Sequence, residues 1–113
     1  MTKNRLRKRS LQGKKTKENL QSILMQASRD HREGRLSAAE KGYLKVLRRK
    51  PGWGQVLNAL GTVYLDQSQA DKAKRCFAKA ANLKPPDLPA CYNLARLKQR
   101  ANDHQGAVTI YQS

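Results

Sequence analysis

Residues 54–85 read GQVLNALGTVYLDQSQADKAKRCFAKAANLKP, and the side-chain choices in this stretch recur 34 positions away in both directions. Toward the C-terminus, Leu60-Gly61 falls on Leu94-Ala95, Ala73 on Ala107 and Phe77 on Tyr111. Toward the N-terminus, Ala73, Phe77 and Pro85 fall on Ala39, Tyr43 and Pro51. A fixed period of about 20–50 residues marks stacked supersecondary units, none of which buries its apolar face alone. Such a chain is built to present a surface.

Leu57, Leu60, Gly61 and Tyr64 share one face at helical spacing and predict a helix over 54–67. Ser68-Gln69 makes a turn, Ala73, Phe77 and Ala80 line a returning helix over 70–82, and Pro85-Pro86 closes the pair. A glycine inside a helix costs about 1 kcal/mol against alanine, so Gly61 implies a close helix approach. Ala27 and Ala95 take the equivalent places one period away.

Working outward, Leu20, Ile23, Leu24 and Ala27 follow the i, i+3, i+4, i+7 pattern of an amphipathic helix. Gly34 is the natural stop for it, because glycine adopts the left-handed C-terminal conformation most cheaply. Ser37 and Glu40 then have capping-box spacing. The second helix is expected to run to about Arg49 with Ala39, Tyr43, Val46 and Leu47 inward, ended by Pro51-Gly52. On the other side, Asp87 is an N-cap, with Leu88 and Pro89 suited to the first helical turn. Leu94, Ala95 and Leu97 are expected inward, with Asn102 in a left-handed turn and Asp103 capping a last helix.

The chain has 113 residues, 38% of them apolar, and only six are Phe, Trp or Tyr. That is lean for a compact globule and normal for thin helix–helix seams filled by Ala and Leu. The net charge of +16 is uneven. Residues 1–17 hold Lys3, Arg5, Arg7, Lys8, Arg9, Lys14, Lys15 and Lys17 with no acid, so half of the excess sits there. A like-charged block this poor in apolar residues is expected to be a disordered, solvated arm. Its cations suit weak nonspecific contact with nucleic acid or an anionic surface. No aromatic interleaves them, so base stacking is not expected.

Cys76 and Cys91 form no C-x-x-C, and two histidines (His31, His104) cannot complete a metal-ligand set. Both cysteines fall on apolar helix faces, and unpaired thiols suit a reducing compartment, cytoplasmic or, in a eukaryote, nuclear. No run approaches the length of a membrane span and no secretory h-region follows the basic start. Neither histidine has a Ser or Cys partner with an orienting acid, so no catalytic constellation is visible, no enzyme activity is expected of these residues, and no cofactor is implied.

Leu57, Leu60-Gly61, Tyr64, Ala73, Phe77, Ala80 and Pro85 resemble the tetratricopeptide repeat, whose signature runs W-x2-L-G-x2-Y, then A, F, A and P. Leu57 stands in the Trp place. The resemblance covers roughly residues 20–113. The first repeat departs with Gln26 for Leu and Asp30 for Tyr, so its first helix is expected to pack less well or to act as a cap. The third has Lys98 for Tyr. The implied fold is all-α: a right-handed solenoid of about three antiparallel helix-turn-helix repeats at 20–53, 54–87 and 88–113. The last is incomplete, stopping about a third short of its closing Ala and Pro. The chain is therefore expected to be a fragment, or to cover its C-terminal edge with another copy.

The family implies a concave groove lined by the first helix of each repeat. Its positions carry Gln21, Leu24, Ser28, His31 and Arg32; then Gln55, Asn58, Thr62, Leu65 and Asp66; then Pro89, Tyr92, Arg96, Gln99 and Arg100. Arg32, Arg96 and Arg100 offer forked donors for carboxylate or phosphate. Tyr92 offers a rigid anchor, Thr62 a hydroxyl, and Asn58 and Asn93 amides for a peptide backbone. The two-carboxylate clamp of chaperone-binding members is absent, since its places hold Leu24, Ser28, Ala59, Pro89 and Asn93. The asparagine ladder of O-linked sugar transferases is also absent, with Asn93 alone in register.

The expected function is a protein-interaction scaffold or adaptor that holds an acidic or extended protein or peptide segment in a mildly cationic groove. The first repeat, Glu33-Gly34-Arg35-Leu36-Ser37-Ala38-Ala39-Glu40, also resembles the leading repeats of larger bacterial proteins. Those carry a glycosyl-, sulfo- or methyltransferase beyond the repeats, which makes a docking arm of a larger enzyme the second reading. A nucleic-acid-associated protein tethered by residues 1–17 is the third.

Overall fold

The computed structural model describes the backbone of residues 20–112 and the side chains of residues 20–101. The arm cations of residues 1–17, and the side chains of Asn102, Asp103, His104, Ala107 and Tyr111, lie outside the described residues. Five helices follow one another: α1 (Leu20–Arg32), α2 (Leu36–Arg49), α3 (Gly54–Asp66), α4 (Ala70–Ala81) and α5 (Leu88–Gln112). No strand occurs among the described residues. Each helix packs on the next, α3 also touches α5, and the result is an all-α helical-repeat solenoid.

The two completed hairpins turn at homologous places. Gly34 has φ 80° and Ser68 has φ 61°, both in the left-handed region. The Arg35 N–H closes the first turn on the Asp30 carbonyl at 2.8 Å, and the Gln69 N–H closes the second on Tyr64 at 2.8 Å. Glycine enters this conformation freely, whereas a residue with a Cβ pays about 1–2 kcal/mol.

One continuous core runs through the stack. Ala39, Tyr43 and Val46 of α2, Leu57, Leu60 and Tyr64 of α3, and Ala73, Phe77 and Ala80 of α4 are all buried, as the periodicity predicts. Gly61 faces the Phe77 ring so closely that a Cβ there would overlap it. The first hairpin solves the same crossing differently. Ala27 carries the methyl and Gly42 of α2 makes the room, since a Cβ at 42 would come within 2.8 Å of Ala27 Cβ.

Three expectations are corrected. The capping box does not form: α2 starts at Leu36 with Arg35 as N-cap and no side-chain cap bond. Glu40 instead accepts hydrogen bonds from Tyr64 Oη at 3.3 Å and Gln67 Nε2 at 3.1 Å, joining α2 to the next repeat. The turn at Asn102 is not made, and α5 runs unbroken from Leu88 to Gln112. Its turn position offers neither a glycine nor a proline, and asparagine is the weaker left-handed residue. Ala95 is consequently exposed rather than inward, because among the described residues no returning helix covers that side of α5. Leu94 and Leu97 do pack against the core. The Asp87 cap is present, with the Ala90 N–H donating to Asp87 Oδ2 at 3.0 Å.

Two substitutions should move stability in opposite directions. Gly61→Ala gains helix propensity but overpacks Phe77, a penalty of about 1–3 kcal/mol that outweighs the propensity gain. Ser68→Gly relieves the left-handed turn and should add about 0.5–1 kcal/mol. Urea titrations of both variants check this, and a Gly61→Ala protein as stable as wild type would contradict the crossing described here.

Candidate functional site: the face across α1, α3 and α5

Polar bonds at a spacing of 35 residues connect side chains of the alternate helices α1, α3 and α5. His31 Nε2 lies 2.6 Å from Asp66 Oδ2, linking α1 to α3. Asn93 Nδ2 donates to Asn58 Oδ1 at 2.9 Å, linking α3 to α5. Each helix end is placed by its own turn, so one period of the chain sets one step across the face.

None of the groove positions named from the family resemblance is buried. In the first repeat, Gln21, Leu24, Ser28 and Arg32 line one shallow depression of about 300 Å³ with Met25 and Arg29. Thr62 turns inward on its own helix, its Oγ1 donating to the Ala59 carbonyl at 2.7 Å, which leaves it less free as a donor. On α5, Tyr92 is 65% exposed, and the Arg96 guanidinium stands 5.6 Å from its ring centroid. That contact holds a flexible cation against a rigid aromatic. Arg100 is exposed one turn further on.

Asp66, the one acid among these positions, is engaged by His31. Among the described residues no carboxylate lies within ion-pair distance of Arg32, Arg96 or Arg100. No three His, Cys, Asp or Glu side chains of the described residues converge as a metal ion would need. No helix among them is long and apolar enough to cross a membrane.

The two departures in the first repeat prove to be partners. Asp30, only 8% exposed, accepts from Gln26 Nε2 at 3.0 Å and from Arg35 Nε at 3.1 Å. A buried carboxylate is tolerable when it is paired and hydrogen-bonded, and this one is both. Gln26 and Asp30 stand four residues apart, the spacing at which helix side chains meet. That signal was available in the sequence, and so was the Tyr64–Glu40–Gln67 node, though the latter needs the register between repeats.

Burial shapes the titration of three groups. It pushes the Tyr43 hydroxyl above its usual range, against the opposing pull of Ser28 and Arg32 beside it. Burial also raises Tyr64, and the neighbouring Glu40 carboxylate adds to the rise. The half-buried Cys76 thiol is raised by burial as well, with Lys79 and Arg75 pulling against it, which keeps it in the less reactive thiol form. Cys91 is also free and half-buried.

Paired helices stacked in register, with an open row on alternate members, define a helical-repeat protein. Residues 54–87 match the family model of the tetratricopeptide repeat, and the chain carries a repeat of that family there. No curated protein matches the chain. Tetratricopeptide repeats generally mediate protein–protein interaction, and a role of that kind goes with the match.

Because Tyr43 and Tyr64 are raised in the folded state, their contribution to stability is complete below the ordinary tyrosine value near 10. It is lost as pH climbs through the raised folded values, where ionisation pulls the chain toward unfolding. The thermal midpoint should therefore fall steeply above pH about 10, and Tyr43→Phe should flatten that fall. Melting curves at a series of pH values, wild type against variant, measure it; identical slopes would contradict the assignment.

Proposed function

We propose that the face across α1, α3 and α5 is a binding groove for an extended, acidic segment of another protein. The single observation that carries this reading is the exposed Tyr92–Arg96 pair on α5. An aromatic with two rotatable angles and a guanidinium already placed against it presents little conformational entropy to lose on binding. Aromatic and Arg side chains are also the residue types that most often dominate binding energy at interfaces. Arg32 and Arg100 extend the positive field to either side, and forked guanidiniums match carboxylates in a bidentate geometry. The Asn58–Asn93 pair sits between them, its one mutual bond leaving the Asn93 carbonyl and the remaining amide hydrogens for a peptide backbone.

The test uses a fluorescein-labelled peptide of alternating Glu and Ser, titrated with the full chain at two salt concentrations. The double substitution Tyr92→Ala with Arg96→Ala should weaken binding at least about tenfold, in line with losing two anchors. It should also flatten the salt dependence, as expected when exposed charges leave an interface. Circular dichroism should not change, because both side chains are exposed. Unaltered affinity would mean that this face is not where acidic segments bind.

The eight cations of residues 1–17 support a second reading, in which the arm contacts polyanions independently of the groove. Each phosphate neutralised on duplex DNA adds roughly −0.9 to the slope of log affinity against log salt. Deleting residues 1–17 should then lower affinity for duplex DNA and heparin and shrink that slope by several units, leaving the Glu-Ser peptide unaffected. An unchanged slope would end this reading.

A further inference from the structure

Within the stack, α2 packs on α3, and Leu57, Leu60 and Tyr64 of α3 are buried. One period earlier the same places on α1 are Ile23, Gln26 and Asp30. Among the described residues no helix covers them, and a groove of about 620 Å³ opens between α1 and α2. Its floor is Ile23, Ala27, Gly42 and Leu44, and one wall is the cationic row Lys41, Lys45 and Arg48. That row falls at i, i+4 and i+7 of α2, is exposed throughout, and has no carboxylate within ion-pair distance among the described residues.

We infer that this groove is a second docking site, distinct from the face across α1, α3 and α5, and that it takes an acidic amphipathic helix from a partner protein. The helical shape follows from the repeat itself, since the homologous surface one period later receives α2. That helix buries Ala39, Tyr43 and Val46 between its neighbours α1 and α3, and a probe helix takes the same small, aromatic and branched aliphatic residues at i, i+4 and i+7. The acidic flank follows from the cationic wall, because complementary potentials fix register and speed encounter.

The chain's own N-terminal residues do not fit that description. Stepping back 34 positions from Ala39, Tyr43 and Val46 reaches Arg5, Arg9 and Gln12, which cannot form an apolar seam. Their cations would also face Lys41, Lys45 and Arg48. A second copy, with net charge +16, meets the same repulsion.

Two synthetic helical peptides test the site. Both carry Ala, Tyr and Val at the α2 spacing, one with Glu along the flank and one with Lys. By fluorescence anisotropy with the full chain, the Glu peptide should bind at least about tenfold more tightly than the Lys peptide. Lys41→Glu with Lys45→Glu should reverse that preference, whereas Lys74→Glu with Lys79→Glu, the same charge change on α4, should leave it. Ala38→Trp, at an exposed position lining the groove, should abolish binding of the Glu peptide while its circular dichroism stays native. Tyr92→Ala with Arg96→Ala should have no effect, which separates this site from the one proposed above. Equal affinity for the two peptides, or equal losses from the α2 and α4 charge reversals, would overturn the inference. So would a concentration-dependent dimer in sedimentation that Ala38→Trp dissociates, since the occupant would then be a second copy.

Discussion

The seating of the Phe77 ring on the bare backbone of Gly61 is the contact from which the rest of the stack takes its spacing. Phe77 is fully buried, worth about 1.5–3 kcal/mol as transferred surface alone. It reaches that burial only because α3 has no Cβ at the point where α4 crosses it. The close approach carries Ala73 and Ala80 into the same seam, one turn to either side. In the first hairpin the requirement is met by exchanging roles, with Ala27 supplying the methyl and Gly42 the gap. The constraint is on the summed bulk at the crossing rather than on one residue at one position.

That constraint explains which parts of the fold were legible in the sequence. Leu57, Leu60, Gly61, Tyr64, Ala73, Phe77 and Ala80 are read correctly because bulk and smallness at a helical period report the crossing directly. Val56 and Val63 are fully buried yet escaped the one-face reading. α3 has neighbours on both sides, so its apolar surface wraps further round than a single stripe. Ser37 and Glu40 misled for a complementary reason: a local capping motif competes with longer-range partners, and the Tyr64 hydroxyl with the Gln67 amide won the carboxylate. Asn102 misled because a homologous register predicts where a turn belongs without supplying the residue that makes it. The groove was less legible than the fold. Side-chain types at its positions are visible in a sequence, but the Asn58–Asn93 and His31–Asp66 pairings depend on the angle between neighbouring repeats.

Polar chemistry in this chain is sorted by distance along the stack. Within a helix, Gln26 and Asp30 join at one-turn spacing. Between a helix and its turn, Arg35 returns to Asp30. Between repeats, Glu40 reaches Tyr64 and Gln67, 24 and 27 residues on, and a step of about one period joins His31 to Asp66 and Asn58 to Asn93. The acids among these are all engaged by donors, whereas Arg32, Arg96, Arg100, Lys41, Lys45 and Arg48 have no carboxylate within ion-pair distance among the described residues. An excess of cations in the sequence thus becomes an asymmetry in the structure. Two of the acids, Glu40 and Asp66, join repeats, and these cations are left facing outward.

A one-dimensional stack makes that asymmetry consequential. In a globule, every apolar face closes on another part of the same core, and leftover charge spreads over the whole surface. In a solenoid each repeat contacts only its neighbours, so the side of a repeat that has no neighbour keeps the shape its neighbour would have filled. The side of hairpin one at Ile23, Ala27 and Gly42 therefore inherits a helix-shaped relief from the same crossing geometry that buries Phe77. It also acquires the cations of α2, which have no carboxylate within ion-pair distance among the described residues. Shape comes from the repeat and charge from the departures from it. Asp30 and Gln26, which weaken the first repeat by the family's measure, keep the far end of that groove polar and satisfied by Arg35. A Leu and a Tyr at those two places would have made the face an uninterrupted apolar strip, one far more prone to promiscuous association in water.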